Sequence, residues 1–293
     1  MKNPLLIFLI IVSLLSAFII ALIKIIGPVG NYIAQFYMLT PAIAAIITRL
    51  FFYEKKFSDA NIRFGKISHY VKFWLFSLGI TVVSYIIFTI FGSVEWDFSG
   101  QIFLERLAKQ FEMAGQNIQD TLPEGFTPEL MLWLYFAGGL TVLNILPGLI
   151  TGLGEELGWR GFMFPLLYKI KPIYAFGGGG VIWVAWHLPL ALIIPQEQSF
   201  TIIEQGLNIS LLIIGGICSF TYLSYVYVKT ENIFVTAIAH IVMNNSAASF
   251  SYFIVMKNQL LANAGLCLTM IIVVIILYYT NELKIFREKI LVR

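Results

Sequence analysis

Apolar runs of about twenty residues, separated by short polar stretches, dominate the chain. Hydropathy places them at about 4–26, 31–52, 71–92, 131–150, 176–195, 207–228, 232–253 and 259–280. At 1.5 Å rise per residue, each is long enough for an α-helix to cross about 30 Å of hydrocarbon. The runs are continuous rather than alternating, which excludes membrane-barrel strands. In lipid only helices or a closed barrel satisfy the backbone. The pattern therefore predicts an all-α polytopic bundle of about eight transmembrane helices, with residues 1–293 forming a single integral membrane domain. The first run exceeds the 7–15-residue core of a secretory signal and reads as a spanning helix. Between the third and fourth runs, Ile102, Phe103, Leu107 and Phe111 recur at helical spacing among charges. They predict an amphipathic helix, either lying on the membrane surface or packed on the bundle.

Composition agrees. Only 12% of the residues are charged and 59% are hydrophobic, against about 25% charged in soluble domains. The placement of charge says more than the net +3. Arg49, Lys55, Lys56, Arg63, Lys66 and Lys72 mark a cytoplasmic loop, as do Arg160, Lys169, Lys171, Lys229 and the tail with Lys284, Arg287, Lys289 and Arg293. The acidic loop with Glu95, Asp97, Glu105, Glu112, Asp120, Glu124 and Glu129 reads as external, as does the one with Glu197 and Glu204. Both termini are then cytoplasmic in a plasma membrane, and the chain reads as bacterial. Lys257 is the exception, in a short external loop. The basic residues are not interleaved with aromatics, so no nucleic-acid surface is expected; membrane lipids are the expected surroundings. Cys218 and Cys267 fall in apolar segments and read as reduced core residues without metal spacing.

Against this background a few polar side chains stand out. Glu155, Glu156 and Arg160 lie within six residues, flanked by apolar sequence. Ionisable groups in a membrane interior are costly unless paired or wetted. Neighbours on a helix point about 100° apart, so the two carboxylates cannot share one task. Glu156 and Arg160 have the favoured i,i+4 geometry and read as a structural ion pair. Glu155 is left without a local partner. Either it faces a cavity as a general acid–base, or all three charges cap a helix end. His187 lies ten residues beyond Gly177, and His240 nine beyond Glu231. Both helices enter from the same side, so the imidazoles reach similar depth. Asn244 shares the face of His240, whereas Asn245 points away as an interhelical hydrogen-bonding residue. His69, in the basic loop, has no expected catalytic role.

The pattern Glu155-Glu156-x-x-x-Arg160, an aromatic four residues before His187, and His240-x-x-x-Asn244 resembles the three motifs of the CAAX protease and bacteriocin-processing (CPBP, or Abi) family. That family includes the type II CAAX prenyl endopeptidases; its core would cover about 130–280. Trp183 stands where the family most often has Phe and keeps an aromatic wall. The resemblance implies an intramembrane endopeptidase with a cavity opening to the cytoplasm, acting on a peptide or lipid-modified peptide. Carried onto this chain, Glu155 and His187 activate a water, His240 and Asn244 donate to the tetrahedral oxyanion, and Glu156 and Arg160 support the site. No Ser or Cys occupies a motif position, in keeping with attack by water.

A zinc site from Glu155, His187 and His240 is the alternative chemistry. The metal-free reading is preferred, because Glu156 is committed to Arg160 and leaves no second carboxylate as base. Two other functions stay open. One is a non-catalytic membrane protein for bacteriocin immunity or peptide regulation. The other is a proton-coupled transporter, although no inverted repeat is visible.

Overall fold

The computed structural model describes residues 3–27, 33–113, 125, 127–141, 145–193 and 198–280. The expectations for Asp120, Glu124, Glu197, Lys284, Arg287, Lys289 and Arg293 lie outside these residues. The helices are α1 (Pro4–Ile26), α2 (Ala34–Tyr37), α3 (Thr40–Phe52), α4 (Ile67–Ile90), α5 (Gln101–Met113), α6 (Pro128–Leu140), α7 (Ile145–Gly158), α8 (Phe164–Ile170), α9 (Gly179–Ile193), α10 (Ile202–Thr230), α11 (Ile233–Ser251) and α12 (Gln259–Tyr279). Wide π-helical turns, Trp159–Met163 and Tyr174–Gly178, precede α8 and α9.

Among the described residues, seven helical stretches are long and apolar enough to cross a membrane, so the chain is an all-α integral membrane bundle. The expected run at 131–150 is divided between α6 and α7. Thr141 leaves the helix in an extended conformation, with φ −99° and ψ 176°, and α7 begins afresh at Ile145. The amphipathic helix forms as α5 and packs on the bundle: Phe103 is buried in a cluster with Leu132 and Phe253. Two three-residue strands lie outside the all-α expectation. β1 (Val94–Trp96) pairs antiparallel with β2 (Ile254–Met256), Val94 opposite Met256 and Trp96 opposite Ile254. Beside them Lys257 pairs with Glu95, so the basic residue that broke the loop-charge pattern is neutralised.

At the centre is α11, which contacts α4, α6, α7 and α10. α7 is drawn against its neighbours by glycines spaced four apart, a small-residue pattern that lets membrane helices approach closely. A Cβ on Gly152 would sit 2.6 Å from Ile241 Cγ1 in α11, and one on Gly154 would sit 2.8 Å from Leu39 Cδ2. Thus Gly148 and Gly152 face α11, while Gly154 and Gly158 face the α2–α3 corner. This wedge carries the C-terminal end of α7 into the bundle.

The π turn after α7 is held from outside. Pro165 lacks the N–H that would bond the Gly161 carbonyl in a regular helix. Arg49, at the end of α3 and 1% exposed, donates to that carbonyl, to Asp59 and to the Lys56 carbonyl. Tyr53 also donates to Asp59, at 2.6 Å. Partial burial alone would raise the Asp59 carboxyl, but the bonds from Tyr53 and Arg49 outweigh it and hold the group below its usual range.

Candidate active site

The α7 wedge buries its charges completely. Glu155 is 4% exposed, and Glu156 and Arg160 are fully buried. They form no surface cap, which removes that alternative. The expected pair is present: Arg160 Nη1 donates to Glu156 Oε1 at 2.8 Å. Arg160 Nη2 donates to the Phe220 carbonyl at 3.2 Å, and its guanidinium lies 4.1 Å over the Phe220 ring. Glu156 has a further partner that spacing did not reveal. His240 Nδ1 is 2.9 Å from the same Oε1. A carboxylate only accepts, so Nδ1 carries the proton and Nε2 is the nitrogen left for chemistry.

His187 is fixed in the same sense by a different acceptor. Its Nδ1 is 3.0 Å from the Trp183 carbonyl, one turn earlier in α9. A carbonyl also only accepts, so Nε2 again is the available nitrogen. That Nε2 lies 3.7 Å from Glu155 Oε2, beyond direct hydrogen-bonding reach. Glu155 Oε2 instead accepts from the indole Nε1 of Trp183 at 3.1 Å. The Trp183 and Trp186 rings lie 4.2 and 4.4 Å from His187. From the far side, Tyr37 Oη donates to the Trp186 carbonyl, and Trp186 Nε1 donates to Ser16 Oγ at 2.8 Å. These bonds tie α9 to α1 and α2 at the level of His187.

Glu155, His187, His240 and Asn244 line one cavity of about 370 Å³ between α2, α7, α9 and α11. Asn244 has no hydrogen-bond partner among the described residues, so its amide is available to a ligand. Asn245, expected to point away, also borders this cavity, beside Gly148 at the α7–α11 contact. Past Trp183 lies a second space of about 360 Å³, walled largely by Val184, Leu188, Leu190, Leu211, Leu212 and Leu266. His69, by contrast, lies in the first turn of α4 and borders none of these spaces.

Residues 137–246 match the Rce1-like family of type II CAAX prenyl endopeptidases. The matched stretch runs from α6 to α11 and contains all three motifs. It agrees with the resemblance carried by those motifs and speaks for a CAAX-type protease in an integral membrane protein; it gives no support to bacteriocin processing. No curated protein matches the chain.

The zinc alternative needs Glu155, His187 and His240 around one ion. Among the described residues no three His, Cys, Asp or Glu side chains are grouped to hold a metal. His240 turns Nδ1 to Glu156 and keeps Nε2 free, and His187 Nε2 lies 3.7 Å from Glu155 Oε2, so neither contact by itself excludes an ion. As placed, Glu155, His187 and His240 are not grouped around one ion.

Proposed function

We propose that this chain is an intramembrane endopeptidase of the glutamate type. It hydrolyses a peptide bond with water activated between Glu155 and His187. One observation carries the reading: four polar side chains from three helices converge on one cavity inside an apolar bundle. The 3.7 Å gap between Glu155 Oε2 and His187 Nε2 supports the same idea. Both atoms are acceptors when the carboxylate is ionised and the imidazole neutral, so a donor such as water suits the space beside them.

The steps follow from these positions. Glu155 takes a proton from the water as its oxygen attacks the peptide carbonyl carbon, and His187 Nε2 orients the second hydrogen. The negative charge moves to the former carbonyl oxygen. There the Asn244 amide, and His240 when protonated at Nε2, donate hydrogen bonds. The proton held by Glu155 then passes to the amide nitrogen and the C–N bond breaks. Products are one carboxylic acid, which gives its remaining proton to His187 Nε2 or solvent to become a carboxylate, and one amine, with no acyl-enzyme. Glu156 and Arg160 keep His240 oriented.

The apolar space past Trp183 supports a peptide with a bulky apolar or lipid-modified flank as substrate. The Lys/Arg-rich loops support a cytoplasmic placement of both termini. The test uses purified protein in liposomes, a fluorogenic peptide panel and Glu155→Ala beside wild type. Cleavage by wild type alone is expected. Equal cleavage by both would overturn the assignment, and proton-driven uptake without cleavage would favour a transporter. Loss of activity with a chelator, restored by Zn²⁺, would replace the metal-free mechanism.

A further inference from the structure

Trp183 does more than wall the cavity. We propose that its indole N–H is the donor that holds Glu155 in the conformation used for water activation, which makes Trp183 a positioning residue. This rests on the reaction proposed above. Glu155 has no partner of its own on α7, because Arg160 is taken by Glu156. A buried carboxylate left without donors is costly. Trp183 Nε1 supplies one donor to Oε2 at 3.1 Å.

The choice of donor matters chemically. A lysine or arginine here would form an ion pair and hold the carboxylate in its charged state. An indole N–H is neutral and donates only, so it orients Glu155 while leaving it able to take a proton. The bond falls on Oε2, and Oε1 has no protein partner among the described residues. Oε2 accepts the indole proton with one lone pair and still faces His187 Nε2, so its other lone pair is open to the water of the proposed step.

The donor is itself held in place. The Trp183 ring is 9% exposed. It packs 4.2 Å from His187, 6.0 Å from Phe220 and 6.3 Å from His240. The Arg160 guanidinium lies 5.8 Å from it. Glu155, His187, His240 and Arg160 thus all meet at one rigid ring. The Trp183 carbonyl fixes His187 as well, but any residue would supply a carbonyl. Only the indole N–H requires tryptophan.

The discriminating variant replaces Trp183 with 3-benzothienylalanine, which keeps the ring shape and exchanges the N–H for sulfur. Beside it stands Trp183→Phe. In the liposome assay both should lower kcat about tenfold or more, the worth of a bond to a charged group. KM should stay within about twofold, and the melting temperature should fall modestly as a buried acceptor loses its donor. A benzothienyl protein with wild-type kcat would overturn the proposal, and so would a loss confined to KM.

A second readout needs no activity. The indole resonance of Trp183 in ¹⁵N-tryptophan-labelled protein, assigned by its absence in Trp183→Phe, should shift on Glu155→Ala. A resonance that stays put removes the hydrogen bond. If it shifts in a wild-type protein that cleaves no peptide, the hydrogen bond is real and the proteolytic reading is what fails.

Discussion

Glu155 and Glu156 are neighbours in the chain and opposites in the fold. Glu156 is fully buried, with one oxygen taken by both Arg160 and His240. Glu155 has one neutral donor and a cavity in front of it. A helical step of about 100° turns adjacent side chains to different faces. One turn of α7 thereby builds both a fixed ionic frame and a carboxylate that faces a cavity. In a medium that penalises every charge, pairing one acid with two basic groups leaves the next to face the cavity without loosening the helix.

The largest effects should come from breaking the two glutamates, and they should differ in kind. Glu155→Ala should reduce cleavage by about 10³-fold, within the span of general acid–base contributions. Its melting temperature should equal or exceed wild type, since a buried carboxylate with a single donor is removed. Glu156→Ala leaves Arg160 and His240 unpaired in the interior, which should cost about 3–5 kcal/mol of stability, read as a lowered melting temperature in detergent. If the two variants exchanged phenotypes, the division between frame and reactive group would be reversed.

Asn244→Ala sharpens the reactive side. It should lower kcat about 10²-fold, the scale of one oxyanion donor, with little change in melting, because the amide has no protein partner to lose.

On the frame side, Arg49→Gln removes the clamp on the Gly161 carbonyl. A loss of about 1–3 kcal/mol is expected from buried acceptors left unsatisfied. Asp59, its partner, adds a pH dependence of stated sign. Its carboxyl is held low in the folded protein. The stability it contributes is therefore present above the ordinary carboxylate pKa of about 3.9 and disappears as pH falls through the lowered folded value. Melting temperature against pH should decline on the acid side less steeply in Asp59→Asn than in wild type.

The smallest effect is expected at Lys257 and Glu95, whose side chains are 52% and 63% exposed. Lys257→Gln should change stability by less than about 1 kcal/mol.

Within the sequence, what was legible was whatever repeats locally. Apolar runs located most spanning helices, and i,i+4 spacing found the Glu156–Arg160 pair and put His240 and Asn244 on one face. The division of α6 from α7 was hidden, because hydropathy averages over a window and does not register one residue leaving the helix at Thr141. The spacing Gly148–Gly152 and Gly154–Gly158 was an available signal for the buried wedge.

The bond between His240 and Glu156 joins positions 84 apart, and the Trp183–Glu155 bond joins positions 28 apart. Neither has a periodicity to betray it. The amino-acid sequence by itself determined the solvent of this protein, its helices and the residue types able to do acid–base work. Packing decided which carboxylate is ion-paired and which faces the cavity, because partners on separate helices meet only once the glycine faces of α7 have closed against α11 and the α2–α3 corner.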